Sequence, residues 1–193
     1  MAADDNGNDL SAVSVPVTGL AAYALVEAAN VVADADMGKK PLALPVAFKK
    51  LGLYKVDGGP QDGRESGDAI EFFQEGYATP GDGTRSVTIT LAEDNVNVQQ
   101  LIEGKAPTSD GVIYVDASLP AAQLILFVVT RYRNGQERRR TGVAQVTAVE
   151  VDQETRGEVR GNAVTFQWQP HDLFDNAPYK EWLGAPVEAV VIP

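Results

Sequence analysis

Five arginines, Arg131, Arg133, Arg138, Arg139 and Arg140, stand within ten positions of a 193-residue chain whose formal net charge is −11. Guanidinium groups gathered this closely grip phosphate, pair with carboxylates of their own chain, or meet the acidic surface of another molecule. Phosphate is disfavoured by the rest of the chain. Residues 1–130 carry 18 acids against 8 bases and residues 161–193 carry 4 against 1, a field that repels a nucleic-acid backbone. The aromatic interleaving of single-strand and RNA binders is also absent. Glu137, Asp152 and Glu154 are candidate partners within the chain. Like charges opposed across a hairpin are destabilising unless neutralised. Of the three uses, the sequence favours a positive hairpin meeting the negative surface of a neighbouring copy, with charge setting the register.

Other chemistry has little material. His171 is the single histidine, so any imidazole mechanism depends on it, and it reads as a loop residue with a local hydrogen bond. Without cysteine there is no disulfide and no thiolate metal site. No nucleophile elbow, phosphate loop or dinucleotide fingerprint occurs. Asp4, Asn6 and Asn8 have the odd-position spacing of a calcium loop, but Asp9 stands where glycine belongs and Val15 where the closing glutamate belongs. Asp57, Asp62 and Asp68 offer at most a weak cation site. Glu71, Glu75, Glu93 and Glu150 could hide a carboxylate pair, yet nothing in their spacing favours it over ordinary solvated faces. We therefore expect no enzyme, no cofactor and no metal.

The elements that must carry these residues are mainly strands. Residues 1–12 read as a flexible acidic arm without a signal-peptide pattern, 13–184 as one β domain and 185–193 as a tail. "AVSVPVTG" suggests a strand ending in a turn, "LAAYALVEAANVVADAD" leans to extended structure, and "MGKKPLALPVAFKK" is an extended surface loop. "LGLYKVDGG" reads as a strand and "GPQDGRESGD" as a long polar loop. "AIEFFQEGYAT", "PGDG" and "TRSVTITLAE" form a hairpin with Val87, Ile89 and Leu91 inward. One short helix falls in "EDNVNVQQLIEGK", with Val98, Leu101 and Ile102 on one face and Gly104 as its stop. "GVIYVD" is a further strand. Asn134-Gly135 predicts a type I′ hairpin between two β-rich runs. In "NAVTFQWQP", Val164, Phe166 and Trp168 alternate with polar residues. The longest apolar run, "AQLILFVV", has strand length, so no membrane span is expected.

The order "TGLAAYAL", "LPVAFKKLGLYKVDGG", "AIEFFQEG", "VTITLAEDNVNVQQLIEG" and "RRRTGVAQVTAVEVDQETRGEVRGNAVTFQWQPHDLFDNAPYKEW" resembles the major tail (tail tube) proteins of long non-contractile-tailed bacteriophages, particularly those infecting actinobacteria. The resemblance runs from about Thr18 to Trp182. It implies a β-sandwich or barrel tail-tube fold with one flanking α-helix. It further implies six-membered rings that stack into a tube, with strands of successive copies joined in a continuous inner barrel. The partners it implies are the chain itself, a tape-measure protein, tail-tip and tail-terminator proteins, and viral DNA in transit without sequence-specific binding. The implied place is the virion tail, assembled in the host cytoplasm with no membrane. In that setting the arm and the loop Asp57–Asp68 would touch neighbouring rings. Arg131, Arg133, Arg138, Arg139 and Arg140 would then be balanced by Asp57, Asp62, Glu65 and Asp68 of the next copy. Charge reversal at Arg138–Arg140 is then expected to impair assembly and leave the subunit folded. Two other readings remain open: the tube protein of a contractile injection or type VI secretion machine, and a β-sandwich module that binds carbohydrate or a cell surface.

Overall fold

The computed structural model describes residues 4–188; parts of the arm (1–3) and of the tail (189–193) lie outside the described residues. The chain is mainly β. Its strands are β1 (Pro16–Leu25), β2 (Lys39–Lys40), β3 (Lys49–Lys50), β4 (Gln61–Glu71) and β5 (Ala78–Leu91), followed by helix α1 (Val96–Glu103). Then come β6 (Leu124–Tyr132), β7 (Glu137–Val151), β8 (Asn162–Gln169), β9 (Lys180–Gly184) and β10 (Val187–Glu188). The main sheet is antiparallel in the order β3-β1-β6-β7-β8-β5-β4, and β9 joins β7. One edge of β7 is shared end to end: residues 137–141 face β9 and residues 143–151 face β8.

The sheet curls around its own apolar face. Ala21 and Tyr23 of β1, Leu126 and Val128 of β6, Ala144 and Val146 of β7, Val164, Phe166 and Trp168 of β8, and Val87, Ile89 and Leu91 of β5 share one core. Strict alternation puts these residues inside, as in β8, where buried and half-buried positions alternate from end to end. Helix α1 covers this core with Val98 and Leu101. Asn95 caps it, accepting from the Asn97 and Val98 N–H groups, and Gly104 ends it in the left-handed region at φ 68°. Strand β6 is buried on both faces because Phe127 and Val129 pack under Val32, Met37, Leu42, Leu44 and Trp182 on the far side. That second layer explains the unbroken apolar run "LILFVV".

Several expectations change. The "TG" at Thr18-Gly19 is no turn, since β1 runs straight through it. Glycine is needed there for close approach: a Cβ on Gly19 would lie 2.9 Å from both the Tyr54 ring and the Val129 carbonyl oxygen. Beyond β1, the extended reading gives way to two 3-10 turns at Ala28–Asn30 and Asp34–Asp36. Residues 51–59 form no strand. Their N–H groups are spent on separate partners, Leu51 on Ala21, Lys55 on Thr90 and Leu53 on the Glu93 carboxylate, and this segment ties β1 to β5. "GVIYVD" is also irregular, with Val112, Tyr114 and Val115 exposed.

The polar segment "GPQDGRESGD" supplies most of β4 instead of a loop, and "PGDG" lies inside β5 instead of at the turn. The hairpin therefore reverses further out, where Phe72 N–H meets the Tyr77 carbonyl. Its long arms pair through two register shifts, with Gly67 opposite Gly81. Glycine and charge hid this strand, because no apolar alternation marks a ribbon that is exposed along almost all its length.

Candidate functional site

The arginine turn reverses over one residue more than the Asn-Gly pair alone implies. Gly135 N–H donates to the Tyr132 carbonyl and Tyr132 N–H to the Gln136 carbonyl. Gly135 lies at φ 83° while Asn134 does not enter the left-handed region. This is a three-residue type I turn with a glycine bulge, in place of the expected type I′ turn. Asn134 steadies it through its side chain, accepting from Gln136 N–H.

Beyond the turn, the consecutive Arg139 and Arg140 are both buried, and alternation sends them to opposite faces of β7 with different partners. Arg139 is 2% exposed. It donates to Glu137 through Nε and Nη2 (2.9 and 2.7 Å) and to the Met37 and Lys39 carbonyls through Nη1 (2.9 and 2.7 Å). Its guanidinium lies 5.3 Å from the Trp182 ring centre. Arg139 thus bolts the loop before β2 and strand β9 onto β7. Glu137 also accepts from Arg131 Nε at 2.8 Å. Burial disfavours its charged form, but the hydrogen bonds from Arg139 and Arg131 outweigh this and hold its carboxyl below the ordinary glutamate value of 4.5.

Arg140 is equally buried and pairs with Asp62 at the root of β4. Arg138, half-buried, approaches the same Asp62 (4.0 Å) and Glu181 (3.6 Å). The hydroxyl of Tyr54 and Nε of Arg140 are buried without a hydrogen-bond partner among the described residues. Burial pushes the Tyr54 phenol well above its ordinary value, with Arg140 pulling slightly the other way.

The structure thus brings Arg138, Arg139 and Arg140 together with acids of the same chain. Of the four acids expected on a neighbouring copy, Asp62 is engaged at home, whereas Asp57, Glu65 and Asp68 are exposed and form no ion pair among the described residues. Arg133 is exposed and Arg131 is half outside. The within-chain candidates divide: Glu137 does pair with the arginines, but Asp152 takes Lys55 (2.6 Å) and Glu154 approaches Arg160 (3.9 Å). Charge reversal at Arg139 or Arg140 is now expected to destabilise the subunit itself, since each would set a carboxylate against Glu137 or Asp62.

The remaining candidates resolve locally. His171 accepts from Leu173 N–H through Nδ1 at 3.2 Å, capping a 3-10 turn. Asp4 folds back on Asn6 and Asn8. No group of three or more acidic or histidine side chains placed to hold a metal occurs among the described residues. No helix among them is long and apolar enough to cross a membrane.

Sequence reasoning missed the most exposed apolar cluster. At the ribbon tip, Ile70, Phe72, Phe73 and Tyr77 are 59%, 55%, 102% and 70% exposed. A signal was present, because two adjacent aromatics cannot both face one core in a strand of period two.

No protein-family model matches the chain, and no curated protein matches it. Among solved structures it is similar to the SPP1 tail tube, determined by solid-state NMR and cryo-EM. The TM-score is 0.41 with 12% identity, covering 77% of this chain and 72% of that chain. A likeness of that degree leaves the function to be argued from the residues.

Proposed function

We propose that the chain is a self-assembling structural subunit, the tube protein of a long non-contractile phage tail. One observation carries the reading. The ribbon of β4 and the first half of β5 projects from the core with almost every residue of β4 exposed on both faces. A two-stranded ribbon is marginal on its own, and a free 11-residue edge is a template for pairing. Such an element gains its stability from a neighbour. The order of sequence segments supports the same reading. In it, copies close into six-membered rings through their sheet edges, and the rings stack into a conduit for genome ejection. Tape-measure, tail-tip and tail-terminator proteins would set its length and ends, within the virion tail. A net charge of −11 suits a channel through which DNA slides without phosphate contacts that trap it.

The exposed aromatics at the ribbon tip are the observation that also fits a surface-binding module. Negative-stain electron microscopy of the concentrated protein separates the two. Six-fold rings or uniform hollow tubes are expected, with slowed amide exchange in residues 61–71 on assembly. Particles that stay monomeric at every concentration, alone and with a tape-measure partner, would overturn the tube reading.

A further inference from the structure

The ribbon tip carries both an apolar and an electrostatic signature. Ile70, Phe72, Phe73 and Tyr77 protrude there, and Glu71 and Glu75 are exposed beside them. Phe73 is fully exposed and meets no other side chain among the described residues. Elsewhere, between β1, β6 and the segment after β2, lies a groove of about 430 Å³. Its apolar wall is made by Leu20, Leu42 and Val129, and Lys40 and Arg131 stand at its rim. Glu137 in that wall is shared between Arg139 and Arg131, so one carboxylate stands against Lys40 and two guanidinium groups. The groove is therefore apolar with a net positive rim, and the tip is apolar with a net negative rim.

We propose that the aromatic tip of one copy docks in the Leu20–Leu42–Val129 groove of a second copy, with Glu71 and Glu75 facing Lys40 and Arg131. The proposal rests on the self-assembly reading and names the two surfaces that meet. Because tip and groove are different patches of one chain, the contact is head-to-tail. A copy that gives its tip to one neighbour and receives a tip from another extends the assembly into a ring or a filament, whereas a reciprocal exchange between two copies would stop at a two-fold dimer. Apolar burial supplies the attraction and the charged rims supply the register.

A photoreactive benzoylphenylalanine in place of Phe73, in a mixture of isotopically light and heavy protein, tests the contact. Cross-linked peptides joining position 73 of one copy to the segment around Leu42 or Val129 of another are expected. Adducts elsewhere, adducts only within one chain, or no adduct between copies would overturn the docking. A second probe at Leu42 identifies what covers the groove, and capture of residues 189–193 of the same chain would also overturn it. Rings seen by microscopy without the expected adduct leave self-assembly standing and remove this contact. The adduct without rings keeps this contact between copies and removes only the closed ring. Lys40→Glu should weaken association about tenfold or more, since like charges then face each other. Adding Glu75→Lys should restore it, and failure of the double variant to recover, with both variants folded by circular dichroism, would count against the pairing.

Discussion

At the scale of single residues, the arginine cluster shows how what covers each position, strand or open turn, sorts identical side chains into different roles. Arg139 and Arg140 are buried and paired, while Arg133 stays in solvent. Removing one partner of a buried pair leaves an uncompensated charge. Arg139→Met should therefore cost about 3–5 kcal/mol, read from urea unfolding. A loss under about 1 kcal/mol would mean the pair contributes little beyond its packing. Glu137 adds a pH dependence with a definite sign. Its folded carboxyl lies below 4.5, so its stabilisation is present above that value and fades as pH falls through the lowered one. The gap in melting temperature between wild type and Glu137→Gln should accordingly narrow in acid. A constant gap from neutral pH to the acid limb would show that the charge on Glu137 is not what the arginines hold.

At the scale of elements, the ribbon and the core are separable. The core strands enclose one apolar cluster that α1 covers, whereas β4 buries almost nothing. Where β4 passes β5 at Gly67 and Gly81 the two backbones approach so closely that a Cβ on Gly81 would fall on the Asp68 carbonyl oxygen. Gly81→Val should then unzip the outer ribbon without melting the core. Amide exchange of residues 61–71 should quicken while the near-ultraviolet signal from Trp168 persists. Loss of both together would show that the ribbon is part of the cooperative core.

At the scale of the whole molecule, the distribution of charge and apolar surface matters more than any single site. An acidic chain of net −11 resists random association. Against that background, one acidic aromatic tip and one basic-rimmed groove select a particular contact. Paired sheet edges between copies would also remove the exposed templates that otherwise lead to uncontrolled aggregation. Assembly into rings is the outcome expected at this scale, and the ribbon amides are where its protection should first be seen.

The β content, the short helix with Val98 and Leu101 inward, and the alternation of Val164, Phe166 and Trp168 were legible because each depends on local period and on the hydrophobic effect. His171 as a loop residue was legible for the same local reason. The tertiary structure alone decided which arginines are buried, since that depends on Met37, Lys39 and Trp182 arriving over Arg139 and on β4 bringing Asp62 to Arg140. It alone decided that Gly19 is a point of close approach and not a turn, because the Tyr54 ring arrives from another part of the chain. It also made a strand of the glycine-rich acidic segment 61–71, whose pairing comes from β5 and not from any pattern of its own. Local period is written in neighbouring residues; burial and pairing depend on residues that meet only when the chain has folded.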